Sequence, residues 1–164
     1  MDPQRRLFLR GRPAVKQAPP VPRPPWALAE AEFLTSCTRC DACIQACPEG
    51  ILFKGDGGFP EVRFSRSGCT TCGRCVEVCQ AHALLRNADQ PPWDWRADIG
   101  PACLALKKVE CRVCGEICDT AAIRFTPTLG GVSCPTLDAT RCNGCGTCLA
   151  PCPTQAITLK MPTQ

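Results

Sequence analysis

The chain contains no tyrosine and a single histidine in 164 residues, and aromatic residues make up only 5% of it. So little aromatic mass makes a large side-chain core unlikely to form and points to staples of another kind. His82 has no second catalytic group beside it, which argues against acid–base relay chemistry and for a surface position. No phosphate-cradling loop, dinucleotide fingerprint, nucleophile elbow or paired-carboxylate signal is found. The chain therefore reads as a protein that is not an enzyme. No apolar run approaches the ~18 residues of a membrane span, so no transmembrane segment is expected.

Cysteine is what the chain has in excess, with seventeen residues. Cys37, Cys40, Cys43 and Cys47, followed by Pro48, read C-x₂-C-x₂-C-x₃-C-P, the spacing that wraps a bacterial [4Fe–4S] cube. The spacing returns at Cys69, Cys72, Cys75 and Cys79, and again at Cys142, Cys145, Cys148 and Cys152, followed by Pro153. A stretched version, C-x₇-C-x₂-C-x₃-C, occupies Cys103, Cys111, Cys114 and Cys118. These quartets use all the cysteines except Cys134, which lies in a predicted strand and reads as a buried inert thiol.

Three cysteines at i, i+3 and i+6 let one tight loop hold three corners of a cube, and in two-cluster ferredoxins the fourth ligates the partner cluster. The expected sets are Cys37, Cys40, Cys43 with Cys79, and Cys69, Cys72, Cys75 with Cys47. In the second half they are Cys103, Cys111, Cys114 with Cys152, and Cys142, Cys145, Cys148 with Cys118. Four clusters are expected, three on regular quartets and one on the stretched quartet, whose long first gap opens it to a labile or three-iron centre. Gly73, Gly144 and Gly146 let backbone N–H groups approach sulfur, while Ile44, Val76 and Leu149 supply apolar cover. Gln80 and Asp119 stand where the other two quartets have proline. A secreted disulfide scaffold does not explain three identical tight quartets. Structural zinc favours separated C-x₂-C pairs and competes only at the stretched site.

Metal binding on this scale ties folding to the cofactor, so the apo chain is expected to be poorly folded. Thiolates kept free for iron imply a reducing compartment, most simply a bacterial cytoplasm. The formal charge of +4 counts cysteines as neutral. With about two negative charges per oxidised four-thiolate cube, the loaded protein falls to about −4. The basic composition is then no argument for nucleic-acid binding.

Residues 1–25 stand apart as an extended basic arm. Arg5, Arg6, Arg10, Arg12, Lys16 and Arg23 against Asp2 give it +5, and seven of the seventeen prolines fall here. Such a segment is expected to be extended, with polyproline character: either a solvated tail or a docking arm that reaches an acidic partner surface. Gln4-Arg5-Arg6-Leu7-Phe8-Leu9 is similar to a twin-arginine export signal. The charged Arg10–Lys16 stretch replaces the apolar region such a signal needs, so it reads as a non-exported look-alike.

From Trp26 the chain is duplicated. Cys40, Cys43 and Cys47 recur at Cys111, Cys114 and Cys118, and Gly57-Gly58 and Cys69 recur at Gly130-Gly131 and Cys142. The fold class expected is α+β, with two tandem bacterial 2[4Fe–4S] ferredoxin-like lobes over 26–90 and 91–164. A helix is predicted over Ala27–Phe33 and hairpin strands over Ile51–Phe53 and Glu61–Ser65, turning at residues 55–58. Ala83–Leu85 reads as a short strand or helix end, and residues 86–96 as the linker. In the second half Ala122–Phe125 pairs with Gly131–Leu137 around Gly130-Gly131, and Ala156–Leu159 closes the sheet. Trp93 and Trp95 are expected to pack over the linker.

The order of these features resembles that of the NapF-type ferredoxins, accessory proteins of the periplasmic nitrate reductase system. The resemblance covers nearly the whole chain. It rests on Arg23-Pro24-Pro25-Trp26, Cys37-Thr38-Arg39-Cys40-Asp41-Ala42-Cys43, Val109-Glu110-Cys111-Arg112, Arg124-Phe125-Thr126-Pro127-Thr128-Leu129 and Cys142-Asn143-Gly144-Cys145-Gly146. It implies a cytoplasmic iron–sulfur protein that binds the catalytic subunit of periplasmic nitrate reductase before export. There it would help that subunit mature by electron supply or by loading its [4Fe–4S] centre. The alternative is a plain polyferredoxin passing electrons between a membrane-bound, quinol-linked donor and an acceptor reductase.

Overall fold

A computed structural model describes residues 22–87, 90–128 and 131–160. Helix α1 (Glu30–Ser36) opens the first half, followed by α2 (Ala42–Ala46). The hairpin of β1 (Leu52–Lys54) and β2 (Pro60–Val62) closes through a 3₁₀ turn at Asp56–Gly58, and α3 (Arg74–Glu77) follows. The second half holds β3 (Arg96–Ile99), α4 (Val113–Glu116), β4 (Ile123–Thr128), β5 (Gly131–Leu137) and β6 (Ile157–Lys160). Among the described residues the architecture is α+β, with three two-stranded antiparallel sheets and a few short helices.

Helix α1 begins later than the Ala27 expected, because Ala27 is held in an antiparallel bridge to Leu84. Its first turn carries Glu30 and Glu32, which suit the positive end of a helix. Phe33, fully buried, anchors the helix in a core with Ile51, Leu52, Val62, Ala83, Leu84 and Trp93. Cys75 is buried in the same core, and Cys37, Cys43, Ile44, Cys47, Cys69, Val76 and Cys79 are among the partly buried groups packed on it. The second core is thinner still, with Ala97, Cys114, Ile123, Cys148 and Ile157 buried. Sulfur thus takes places that apolar side chains normally fill.

Two differences from the sequence expectations matter for the site. Strand β6 does not join the β4–β5 hairpin but pairs with β3, in register Ala97↔Leu159 and Ile99↔Ile157. Strand β3 starts at Arg96, the last residue assigned to the linker. Its counterpart in the first half is the Ala27–Leu84 bridge, so the duplication extends to the strand that ties each half's start to its end. The Gly130 side of the β4–β5 turn lies outside the described residues, as do residues 1–21 of the basic arm with the twin-arginine look-alike.

Residues 22–25 are packed. The Val62 N–H donates to the Pro22 carbonyl at 2.8 Å, and Pro24 is fully buried. Arg23 pairs with Glu30 through Nη2–Oε1 at 2.7 Å and Nε–Oε2 at 2.9 Å, and its guanidinium lies over Phe33 and Phe59. Glu30 is held below the usual carboxylate range by its hydrogen bond from Arg23. Trp93 is buried, stacks on Trp95 at 5.3 Å and donates its Nε1–H to the Arg23 carbonyl at 2.9 Å, so both rings pack over the connection as expected.

Phe33→Ala should destabilise the loaded protein by about 3–5 kcal/mol, the usual cost of an emptied aromatic site. The exposed Asp94→Ala should stay within about 0.5 kcal/mol of the parent. Anaerobic denaturant unfolding followed by circular dichroism checks both.

Candidate metal centres

In the three regular quartets the residues flanking the second cysteine are left-handed: Arg39 and Asp41, Thr71 and Gly73, Gly144 and Gly146. Left-handed turns of this kind direct successive N–H groups to one side of the chain, forming a concavity that receives anions such as sulfide and thiolate. Glycine takes this conformation freely; Arg39, Asp41 and Thr71 take it at a cost that a functional loop can justify. Each loop leads into a short helix or turn carrying the third cysteine, with Cys43 in α2 and Cys75 in α3.

All four quartets, the stretched one included, close on one turn. The residue three beyond the fourth cysteine is left-handed at Gly50, His82, Ala121 and Gln155. Its N–H returns to the carbonyl of Cys47, Cys79, Cys118 or Cys152 at 3.2, 3.1, 2.8 and 3.1 Å. Gln80 and Asp119, in place of proline, leave this turn intact. The stretched quartet differs before that turn: Arg112, after its second cysteine, is not left-handed, with φ −132°. Its Leu104–Glu110 segment folds on itself, with Lys107 and Val109 N–H groups donating to the Leu104 carbonyl and Ala105 fully buried.

The structure brings the cysteines of the first half together in two groups. Cys37, Cys40, Cys43 and Cys79 line one cavity of ≈ 240 Å³, beneath Phe33 and Leu84. Cys47, Cys69, Cys72 and Cys75 line a second, narrower space of ≈ 20 Å³ against Trp26, Ile51 and Leu52. Among the described residues no three Cys, His, Asp or Glu side chains gather closely enough to hold a single ion. The cysteines ring spaces rather than points.

The third cysteine of each quartet is where burial acts most on the thiol. Burial, then the neighbouring Cys37 and Cys79 charges, pushes Cys43 up to about 11. Burial and Cys69 and Cys43 push Cys75 up to about 12. In the second half burial and the charges of Cys103, Cys111 and, less, Cys152 push Cys114 up to about 11. Burial with Cys145 and Cys142 takes Cys148 to about 12. Cys69 reaches about 11, chiefly by burial. These thiols are protonated in the absence of a cation, so iron held by them would have to displace their protons, and loading would be favoured as pH rises.

Other cysteines are eased toward the thiolate. Cys40 is lowered by the Ala42 N–H and the Thr38 hydroxyl. At Cys118 and Cys152 burial opposes ionisation, but hydrogen bonds from Ile123, Thr120 and Ala122, and from Ala156 and Thr154, outweigh it. The Ala97 N–H, from β3, lies 3.4 Å from Cys142 Sγ, the Ala156 N–H 3.3 Å from Cys152 Sγ, and the Thr71 N–H 3.3 Å from Cys69 Sγ. Thr120, Thr147 and Thr154 place hydroxyls 3.6, 3.3 and 3.8 Å from Cys118, Cys145 and Cys152. Sequence reading missed these threonines, although their common signal, a threonine two residues after the cysteine, is there to be seen. Ile44, Val76 and Leu149 are half-buried against the cysteine-bearing cores. His82 is exposed, as expected. Cys134 lies in β5 opposite Thr126, half-buried rather than fully buried, because the β4–β5 hairpin has only one covered face.

Residues 36–83 match the 4Fe-4S dicluster domain family and residues 134–158 the 4Fe-4S binding domain family. The protein is an iron–sulfur protein of ferredoxin type, carrying several [4Fe–4S] clusters for electron transfer. It is 46% identical over 158 residues, 96% of this chain and 94% of the other, to the ferredoxin-type protein NapF of Escherichia coli (strain K12). To NapF of Haemophilus influenzae it is 46% identical over 163 residues, 94% of this chain and 92% of that one. The methylamine utilization ferredoxin-type protein MauM of Methylobacillus flagellatus is 34% identical over 162 residues, 88% of this chain and 68% of its own. The chain belongs to the NapF family of ferredoxin-type proteins. The stretched quartet lies outside both matched domain segments.

Anaerobically purified protein should contain about sixteen iron atoms, four per cube. Cys114→Ser should lower that to about twelve or fewer, while Cys134→Ser should leave it unchanged, as read by iron and sulfide analysis with paramagnetic resonance.

Proposed function

We propose that this protein binds the catalytic subunit of periplasmic nitrate reductase in the cytoplasm and assists its maturation before export, by electron supply or iron–sulfur loading. Four [4Fe–4S] clusters carry the redox chemistry when bound, each accepting or releasing one electron. Cys37, Cys40, Cys43 and Cys79 would hold the first, Cys47, Cys69, Cys72 and Cys75 the second. Cys103, Cys111, Cys114 and Cys152, and Cys142, Cys145, Cys148 and Cys118, would hold the third and fourth. The donor set is all thiolate, the softest ligands the chain has, and the wrapped N–H groups suit an anionic cluster. The first ring encloses the wider space; the second is narrower, lined by its four cysteines and apolar side chains, with Cys72 exposed at its edge.

The observation that carries the reading is 46% identity along 96% of the chain to NapF. The residues behind the resemblance sit around the centres: Arg39 and Asp41 are the two left-handed residues of the first loop. Lys54 meets the Asp41 carboxylate at 2.6 Å and ties β1 to that loop. The chain's part is to space and shield the clusters. It excludes water with Phe33, Trp26 and Leu84, and keeps Cys40 at the surface, where a partner's centre can approach. The two cysteine rings of the first half, side by side, also favour the second reading, a plain electron carrier between a quinol-linked membrane donor and an acceptor reductase.

Pull-down from cytoplasm should recover the reductase precursor, and deletion of this protein should lower the precursor's cluster content. Absence of contact together with an unchanged cluster content would contradict the maturation role. Loss of nitrate reduction despite a fully loaded, exported reductase would favour the electron carrier.

A further inference from the structure

The inner cysteine loops of the two halves touch. The Cys69 N–H donates to the Cys145 carbonyl at 2.7 Å, joining a residue of each loop directly through the backbone. Both loops are pared down to allow it. A Cβ on Gly68 would overlap the backbone nitrogen and Cα of Thr147. A Cβ on Gly146 would come within 2.5 Å of the Phe64 ring, and one on Gly144 within 2.9 Å of the Trp95 carbonyl. Phe64 in turn stands edge-on to Trp93 and Trp95, at 5.6 and 6.4 Å between centroids. Glycine at 68 is needed for closeness alone, since its backbone is not left-handed.

We propose that this seam joins the Cys47/Cys69/Cys72/Cys75 set to the Cys118/Cys142/Cys145/Cys148 set, so that the four sets form one continuous electron row rather than two separate pairs. The proposal rests on the ligand sets given above. Within each half the sets are already neighbours: α2, with Cys43, packs on α3, with Cys75, and Cys114 and Cys148 share one buried core. The missing link is the crossing between halves. Nine non-hydrogen atoms make it, running from Cys69 Sγ through its Cβ, Cα and N–H to the carbonyl, Cα, Cβ and Sγ of Cys145, with one hydrogen bond in place of a covalent bond. The chain moves a single electron along this path: one set is oxidised by one, the other reduced by one, no bond breaks and no proton has to leave. The ends of the row are the Cys37 set, with Cys40 exposed, and the Cys103 set, so electrons would enter at one half and leave at the other.

The test is paramagnetic resonance on the full, loaded, partly reduced chain, together with amide exchange at Cys69. The parent should show magnetic interaction between the halves and a slowly exchanging Cys69 amide. Gly68→Ala should abolish that interaction with iron content unchanged, and speed Cys69 exchange by about tenfold, the scale of one lost hydrogen bond. Should Gly68→Ala fail to load, Phe64→Ala, which alters no cysteine loop, should weaken the same interaction. A freely exchanging Cys69 amide in the parent, or a fully loaded Gly68→Ala or Phe64→Ala protein with parental interaction, would overturn the seam. A parent that lacks iron in either inner set would instead overturn the ligand assignment, and the iron count tells the two failures apart.

Discussion

Buried sulfur is the constraint on which this structure depends. Cys75, Cys114 and Cys148 sit in the cores where a larger protein would place leucine or phenylalanine. Each is surrounded by other thiols whose charges would repel it once ionised. Protonated, they are poor core-fillers around open space; ionised and bare, they repel. Iron–sulfur clusters held by these cysteines, as proposed above, would resolve the conflict by neutralising the thiolates and filling the space they ring. The shortage of aromatic residues and the crowd of cysteines are therefore two aspects of one design.

The loops are shaped by the same need. A residue with a side chain stands left-handed at Arg39, Asp41 and Thr71, and the closing turn is repeated at Gly50, His82, Ala121 and Gln155 regardless of residue type. Left-handed backbone kept at six non-glycine positions of related loops is characteristic of loops that bind something. The closing turn brings the stretched quartet into line with the others: Cys118 ends on the same hydrogen bond as Cys47, Cys79 and Cys152. The extra residues before Cys111 form a compact turn on buried Ala105 rather than a gap.

The quartets, the two hairpins and the duplication were legible because each leaves a local mark: fixed cysteine spacing, glycine turns, apolar alternation. The strand at Arg96–Ile99 was not, since Arg-Ala-Asp-Ile carries little alternation and becomes a strand only by pairing with a segment sixty residues further on. Arg23 looked like part of a solvated basic arm, yet Glu30, Phe33 and Phe59 draw it onto the first half. The start of α1 shifted for a similar reason, with Leu84 capturing Ala27. The seam between Gly68 and Thr147 leaves no mark in the sequence beyond a glycine, because close approach is a property of two distant segments. What sequence conveyed well was the chemistry; what it concealed was the long-range pairing that positions it.

The most direct test of this account is to remove the metal and watch the fold. Anaerobic chelation of the brown protein, followed together by visible absorption and circular dichroism, should bleach the colour and abolish the cooperative unfolding transition in step. A colourless chain that stays compact and still unfolds cooperatively on heating would contradict the claim that clusters, not side chains, form the cores.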